Sequence, residues 1–251
     1  MRAVRHIRAF FASATKGNET DGNVMNSLWK VFTTTIGKKA VMAATGGVLL
    51  LFVIAHMSGN LQMFLGWGDI NNYADLLKSH REFLWPFRVF LATCLVLHVS
   101  TGTFLAIDNR RRRGTPYEVK KLVGASLPSR TMWVSGLIIL SFIIYHLMHF
   151  TLGVTNPDYL TFRDAHDRPD VYRMIVTAFS AAGTVGIYVL GVGTLGFHLS
   201  HGVRAMVESL GLRMETWASR IDKTSLVVAC LLFLGFASVP LAVLMGLLQL
   251  K

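Results

Sequence analysis

The sequence predicts an all-α membrane protein with five transmembrane helices. Hydrophobic residues make up 52% of its 251 residues and charged residues only 16%, which excludes an ordinary soluble domain. Five segments of 19 to 30 residues contain no Asp, Glu, Lys or Arg, and each is long enough to cross the hydrocarbon core as a helix. These segments are 40–64, 89–107, 131–154, 174–203 and 224–250.

Helices are favoured over strands because backbone groups in hydrocarbon must bond internally, in helices or in a closed barrel. Runs such as "LLLFVIA", "GLIILSFIIYH" and "VVACLLFLGFASV" lack the alternation of apolar and polar residues that a barrel strand needs. The five segments are therefore expected to be helices.

The basic residues predict the orientation of the chain. The connecting segments on one side carry 18 Lys and Arg against 7 Asp and Glu, whereas those on the other side carry 7 of each. By the positive-inside rule the first side is cytoplasmic, with the N-terminus inside and the C-terminus outside. The segments on the basic side are 1–39, 108–130 and 204–223.

Two parts of the chain follow from this pattern. Residues 1–35 are expected to form a cytoplasmic N-terminal tail, because the apolar run "AFFASA" is short for a signal peptide and polar residues follow it. Residues 36–251 are expected to form the five-helix transmembrane domain.

Histidines are concentrated in the apolar segments. Six of the nine lie in segments that contain no Asp, Glu, Lys or Arg, spread over four consecutive segments. A single such histidine is usually a hydrogen bond between helices, but ionisable groups within a membrane are costly, and six of them indicate a function. The six are His56, His98, His146, His149, His198 and His201.

Two of these histidines are expected at one depth, in the outer half of the membrane. His56 follows Lys39 by 17 residues on an outward helix, and His146 follows Arg130 by 16 on another. Since a helix rises about 1.5 Å per residue, the two imidazoles share a level.

Two others are expected toward the cytoplasm. His98 lies ten residues before Asp108 and His198 six before Arg204, both on inward helices. Two imidazoles that face each other across a bundle can form a bis-histidine haem site, so the sequence predicts two such sites at two depths.

An internal sequence repeat supports the pairing of His98 with His198. The stretches "LHVSTG" at 97–102 and "FHLSHG" at 197–202 share the pattern H-x-S-x-G. Position i+4 lies over the same helix face as i, so Gly102 and Gly202 are expected to clear room for a flat macrocycle.

Four stretches then resemble a known family. They are "VLLLFVIAHMSGNLQMFLGWGDINNYADLLKS", "LWPFRVFLATCLVLHVSTG", "SRTMWVSGLIILSFIIYHLMHFTLG" and "GFHLSHGVRAMVESLGL". Together they resemble the cytochrome b membrane anchor of succinate dehydrogenase and fumarate reductase, of the single-subunit, five-helix, di-haem type. The likeness covers roughly residues 35–250 and implies that four of the five helices form a di-haem bundle.

The resemblance assigns axial ligands residue by residue. It implies that His56 and His146 hold an outer haem b, and that His98 and His198 hold an inner one. His149 and His201 stand where relatives often carry other polar residues, so both are expected to be neighbours of the ligands.

The resemblance also implies a role within respiratory complex II of the tricarboxylic acid cycle. Such an anchor holds a flavoprotein and an iron–sulfur subunit on the cytoplasmic face, and it passes electrons between the iron–sulfur subunit and a membrane quinone, expected to be menaquinone. The resemblance places the dicarboxylate site on another subunit and implies a location in the cytoplasmic (inner) membrane of a bacterium. Fumarate reductases of this type carry a glutamate two positions before the fourth ligand, where this chain has Gly196; the difference favours succinate oxidation.

Further candidates surround the two predicted haems. Asn60 and Gln62 could donate hydrogen bonds to a quinone beyond the outer haem, and Arg88 lies at the outer end of the second helix. Cations near the faces could pair with haem propionates. The candidates for the inner haem are Lys38, Lys39, Ser129, Arg130 and Arg204.

Two alternatives remain open from the residues alone. The four-helix cytochrome b of hydrogenases and formate dehydrogenases also reduces quinone with intramembrane histidines, but it would place the ligands differently. A haem-free transporter or structural anchor could use the same histidines as proton relays.

Overall fold

The computed structural model describes residues 34–112 and 127–250, with the backbone alone at residues 112 and 127–130. Within these residues every regular element is a helix, apart from one isolated bridge between Arg163 and Pro169. The prediction of an all-α membrane protein is confirmed, since five helices are long and apolar enough to span a membrane. The predicted tail, 1–35, lies outside the described residues except for its last two.

Seven α-helices follow one another along the described chain. Five are the long apolar ones: α1, α3, α4, α6 and α7. Two short ones, α2 and α5, lie between them. Their bounds are α1 Thr35–Leu61, α2 Trp67–Ser79, α3 Arg81–Arg112, α4 Leu127–His146, α5 Val171–Phe179, α6 Ala182–Ser209 and α7 Ala218–Leu244.

Helix termini agree with local sequence. The hydroxyl of Thr34 caps α1 by accepting the N–H of Gly37 at 3.1 Å. Beyond α1 a single 3₁₀ turn, Gln62–Phe64, leads to Gly66, whose φ of 123° is accessible to glycine and reverses the chain into α2.

The charge-free segment 174–203 is not one helix, contrary to the expectation from the sequence. The chain breaks at Ala181, which is extended at φ −90° and ψ 116°, so α5 ends at Phe179 and the spanning helix α6 begins at Ala182. The reason is tertiary, because α5 packs its apolar face against α2 and α7 at one end of the bundle. Hydropathy alone cannot distinguish this packed helix from the first turns of a membrane span.

Four of the long helices surround a common axis. Helix α1 packs against α3 and α6, and α4 packs against α6 and more lightly against α3. Hence α1 and α4 lie on one diagonal of the bundle, and α3 and α6 on the other. Helix α7 covers the outside of α6 and α1.

Small residues allow α6 and α7 to approach closely. A Cβ atom on Gly196 would lie 3.3 Å from the carbonyl oxygen of Ala229 and 3.4 Å from Cβ of Phe233. Close contacts through small residues are the usual basis of helix association in membranes. Gly196 therefore faces α7 and not the axis of the four-helix bundle.

Ion pairs join helices at the end where α1 begins and α6 ends, called here the basic end. Lys38 on α1 pairs with Asp108 on α3 at 2.7 Å. Arg204 on α6 contacts Asp222 on α7 at 3.4 Å, and Arg213 pairs with Glu208. These pairs hold the helix ends in register.

The opposite end, called the capped end, is covered by α2, α5 and the segment 152–170. Asn71 is completely buried there, and its amide donates to Asp164 at 3.3 Å and to Asp170 at 3.0 Å. Its oxygen accepts the backbone N–H of Tyr172 at 3.0 Å. Asn71 thus joins α2 to the segment 152–170 and to the first turn of α5.

Asp164 is the charged centre of this cover. Burial by itself raises the pKa of Asp164, but hydrogen bonds from the Arg168 side chain, from the N–H groups of Arg168 and His166, and from Asn71 outweigh it and hold that pKa well below its ordinary value. A depressed folded pKa stabilises the fold at neutral pH, and this contribution is lost as the pH falls below about 4.

The Asn71 hydrogen bonds give a prediction for stability. Replacing Asn71 with Ala leaves buried partners unsatisfied, so we expect the capped end to lose about 2 kcal/mol against local opening. Faster hydrogen exchange of backbone amides in segment 155–173 would measure this loss. Asn72→Ala is the matched control, because Asn72 is exposed and accepts only from Arg168; equal exchange in the two variants would contradict the prediction.

Candidate functional site

Four of the intramembrane histidines lie on the two diagonals of the bundle. His56 is on α1 and His146 is the last residue of α4, whereas His98 is on α3 and His198 on α6. Each predicted pair therefore comes from helices that face each other across the axis and do not pack together extensively.

The imidazoles of His56 and His146 approach each other directly. Their ring centroids are 5.8 Å apart, with ring planes at 78°. A metal–imidazole bond is about 2 Å long, so two imidazoles that share one metal ion have ring centres about 6 Å apart. The observed separation fits two ligands of one metal, and it is also that of an ordinary edge-to-face ring contact.

Aromatic rings enclose this pair, called here the outer pair. Phe52 stacks on His56 at 5.4 Å, and Phe236 of α7 lies 5.9 Å from the same ring. Phe142 and Phe150 lie 6.2 Å and 5.8 Å from His146. Apart from the hydroxyl of Tyr188, which lies 3.4 Å from Nδ1 of His146, the described neighbours of the outer pair are apolar rings.

His98 is oriented by the neighbouring helix α1. Its Nδ1 lies 3.2 Å from the carbonyl oxygen of Met42 and 3.4 Å from the hydroxyl of Thr45. That hydroxyl gives its own proton to the carbonyl of Val41 at 2.7 Å. Both partners therefore accept, which assigns the proton to Nδ1 and leaves the lone pair on Nε2.

His198 is oriented in the same way by α4. Its Nδ1 lies 2.9 Å from the hydroxyl of Ser135, a buried residue that donates to the carbonyl of Met132 at 3.0 Å. If the hydroxyl proton goes to Met132, the hydroxyl accepts from Nδ1–H of His198, and Nε2 keeps its lone pair. An imidazole held at Nδ1 with a free Nε2 is the usual arrangement of a metal ligand.

Two glycines stand beside these rings, and they are not the pair expected from the sequence. A Cβ on Gly46 would lie 3.0 Å from Cε1 of His98, and one on Gly136 would lie 3.7 Å from Cε1 of His198. Gly102 instead faces Met42, and a Cβ on Gly202 would lie 4.0 Å from Cδ2 of His198. The close approach of backbone to His98 therefore comes from α1.

These contacts reveal a second internal repeat that the sequence analysis missed. The pattern M-x-x-[ST]-G at 42–46 recurs at 132–136, and the same offset of 90 residues relates His56 to His146. In each copy the hydroxyl residue and the glycine serve the histidine of an adjacent helix. A search for shared spacing relative to the histidines would have found this signal.

His149 and His201 lie apart from the two pairs. His149 is buried in a π turn, Leu147–Thr151, directly after His146, and its Nδ1 lies 3.0 Å from the hydroxyl of Tyr188. His201 is partly buried one turn beyond His198. Tyr188 was not singled out from the sequence, because an apolar helix commonly contains tyrosine.

The cations proposed for the inner pair are engaged in different ways. Arg204 donates to Glu208 at 2.9 Å and pairs with Asp222, whereas Lys39 is exposed. Lys38 pairs with Asp108. The side chains of Ser129 and Arg130 lie outside the described residues.

The two residues suggested for quinone lie at the capped end. Asn60 donates its amide to the carbonyl of His56 at 2.7 Å, so one of its donors serves the helix itself. Gln62 is partly buried in the 3₁₀ turn after α1. Both follow His56 by less than two helical turns.

Among the described residues, no group of three or more His, Cys, Asp or Glu could hold a metal ion. Each histidine pair offers two nitrogen ligands, so an ion bound there would take its other ligands from elsewhere, as it does in a bis-histidine haem.

Close packing of α4 and α6 gives a prediction for this site. A methyl group on Gly191 would overlap the ring of Phe142, so Gly191→Ala should force these helices apart and lower stability by about 1–3 kcal/mol. Thermal unfolding of the purified protein in detergent measures the change. Gly186→Ala, on the same helix but with open space at its Cβ, should unfold at an unchanged or slightly higher temperature; a similar loss in both variants would contradict the close contact.

No protein-family model, curated protein or solved structure matches this chain. Its function is therefore inferred from its own residues: two imidazole pairs across a membrane-spanning bundle, each at its own depth.

Proposed function

We propose that this chain is the haem b-containing membrane anchor of a succinate:quinone oxidoreductase. His56 and His146 are the axial ligands of one haem, and His98 and His198 those of a second. The chain would pass electrons between an iron–sulfur subunit at the basic end and a membrane quinone, and it would contain no dicarboxylate site. The observation that carries this proposal is the 5.8 Å separation of His56 and His146 across the bundle.

The chain's residues fit a bis-histidine haem. Both imidazoles of the inner pair are hydrogen-bonded at Nδ1, so neither of these contacts uses Nε2, the nitrogen that would bind the iron. Glycines, not larger residues, stand beside these rings at positions 46 and 136. A bound haem would supply an iron that carries one electron by alternating between the ferric and ferrous states.

The half of α3 nearest the capped end leaves room in the bundle. From Arg81 to Thr93 only Leu84 and Leu91 are even partly buried, so this half is exposed around its whole circumference. A helix packed in a bundle normally buries one face. The space beside α3 at the level of the outer pair is where a macrocycle would be accommodated.

The separation of the two pairs supports a transmembrane electron path. Gly46, beside His98, lies ten residues before His56 on α1, and Gly136, beside His198, lies ten before His146 on α4. Ten helical residues correspond to about 15 Å along the axis. Two haems at this spacing would split the electron's path across a hydrocarbon core about 30 Å thick into shorter steps.

The proposed partners are assigned to the two ends of the bundle. The flavoprotein and iron–sulfur subunits would bind at the basic end, which lies in the cytoplasm of a bacterium by the positive-inside rule. Menaquinone would react near the outer pair, with Asn60 and Gln62 as donors. This chain has Gly196 where the fumarate reductases described above carry a glutamate, and the missing acid supports the direction of succinate oxidation. Gly196 faces α7, so a glutamate at this position would lie against that helix.

The optical spectrum of the purified protein tests the proposal. We expect a b-type α band after reduction and two haems per chain by pyridine haemochrome assay. Reduction of both haems by succinate in native membranes, and by neither hydrogen nor formate, would support the complex proposed here. Absence of the α band would overturn it in favour of a haem-free transporter or anchor.

Single substitutions test the pairing. His56→Ala and His146→Ala should each lose the same haem, while His98→Ala and His198→Ala should lose the other, because a bis-histidine site needs both ligands. Reduced-minus-oxidised spectra and redox titration of each variant would show which haem remains. His201→Ala is the control and should retain both; different residual haems in His56→Ala and His146→Ala would contradict the outer pair.

A further inference from the structure

A tyrosine hydroxyl beside the outer pair contacts two imidazoles. Tyr188 of α6 is buried, and its hydroxyl lies 3.0 Å from Nδ1 of His149 and 3.4 Å from Nδ1 of His146. No other described hydrogen bond reaches either ring, and none reaches the ring of His56. Tyr188 is therefore the polar contact that orients His146 within the outer pair.

One hydroxyl proton cannot serve both rings. A tyrosine hydroxyl can donate one hydrogen bond and accept another, so the two imidazoles must play opposite parts. Either Tyr188 donates to His149 and accepts from Nδ1–H of His146, or the two directions are reversed. In the first arrangement, the bond that Tyr188 donates is the shorter of the two, at 3.0 Å.

The direction of these bonds decides which histidine can bind iron. In the first arrangement Nδ1 of His146 is protonated, so its Nε2 has the lone pair that a metal needs. Nδ1 of His149 then accepts, which places its proton on Nε2 and prevents coordination there. The reversed arrangement would give the opposite selection.

Packing keeps Tyr188 in reach of both rings. Gly191, one turn further along α6, lies against the ring of Phe142, and this contact brings α6 close to α4. Rings of Phe142, Tyr145 and Phe179 lie 5.2, 5.9 and 4.9 Å from the ring of Tyr188. The π turn after His146 places His149 on the same hydroxyl.

We propose that Tyr188 is the positioning residue of the outer haem site, where it accepts from His146, donates to His149 and so selects His146 as the iron ligand. This inference rests on the proposed function. It predicts that the two haems are controlled separately, since the inner ligands depend on Met42, Thr45 and Ser135 and not on Tyr188.

Tyr188→Phe tests the proposal while preserving the aromatic packing. A hydrogen bond that Nδ1–H donates increases the basicity of the ligand and favours ferric iron. Its loss should therefore raise the midpoint potential of the outer haem. We expect a tenfold change in the relative stability of the two oxidation states, equivalent to about 59 mV for one electron.

The controls separate this effect from a general disturbance. Tyr145→Phe removes a hydroxyl from the same aromatic cluster and should leave both potentials unchanged. The inner haem should keep its potential in Tyr188→Phe. If both haems are present and Tyr188→Phe shifts neither, or shifts both equally, the positioning role is wrong; a wild-type protein without haem would instead refute the proposed function.

Variants of His149 test the direction of the hydrogen bonds. His149→Gln retains an acceptor for the Tyr188 hydroxyl and should retain the outer haem at a nearly unchanged potential. His149→Leu removes that acceptor, so the hydroxyl can turn its proton toward His146, and the outer potential should change. Identical behaviour of the two variants would refute the assigned direction, even if Tyr188→Phe did not accumulate.

Discussion

An imidazole inside a membrane-spanning bundle needs a partner for each polar atom, and this requirement organises the site. Neutral imidazole has one donor and one acceptor, and hydrocarbon offers neither. In this chain the oxygen beside each of three histidines comes from a neighbouring helix: α1 for His98, α4 for His198 and α6 for His146. These bonds require α1 to lie beside α3, and α6 to lie beside α4. The same bonds engage Nδ1 of each ring and do not involve Nε2.

Two sequence repeats relate the two halves of the bundle, but the repeat that relates α3 to α6 does not extend to Tyr188. Offsets of 90 residues for α1 and α4, and of 100 for α3 and α6, relate the inner histidines and their supports. The offset of 100 that relates His98 to His198 places Arg88 opposite Tyr188. The inner pair thus has similar supports on both sides, whereas Tyr188 has no hydroxyl counterpart on α3, where the matching position is Arg88 and its guanidinium lies over the ring of Trp85.

Helix α6 makes this arrangement possible because it presents glycine on two faces. Gly191 faces Phe142 of α4, and Gly196 faces the backbone of α7 at Ala229. A larger side chain at position 191 would separate α6 from α4 and withdraw Tyr188 from His146, and one at position 196 would separate α6 from α7. The glycine content of this helix is therefore part of the construction of the site, in addition to serving helix association.

The sequence alone was sufficient to predict the spanning helices and the grouping of four histidines by depth. Hydrocarbon excludes charge, so a charge-free segment predicts a span, and the constant helical rise converts spacing into depth. The split at Ala181 could not be predicted, because an apolar helix packed across the end of a bundle has the same composition as a span. The positions of Gly46, Ser135 and Tyr188 also depended on tertiary structure. Their roles arise from contacts between helices, and the rotation of one helix against another is decided by packing between side chains distant in sequence.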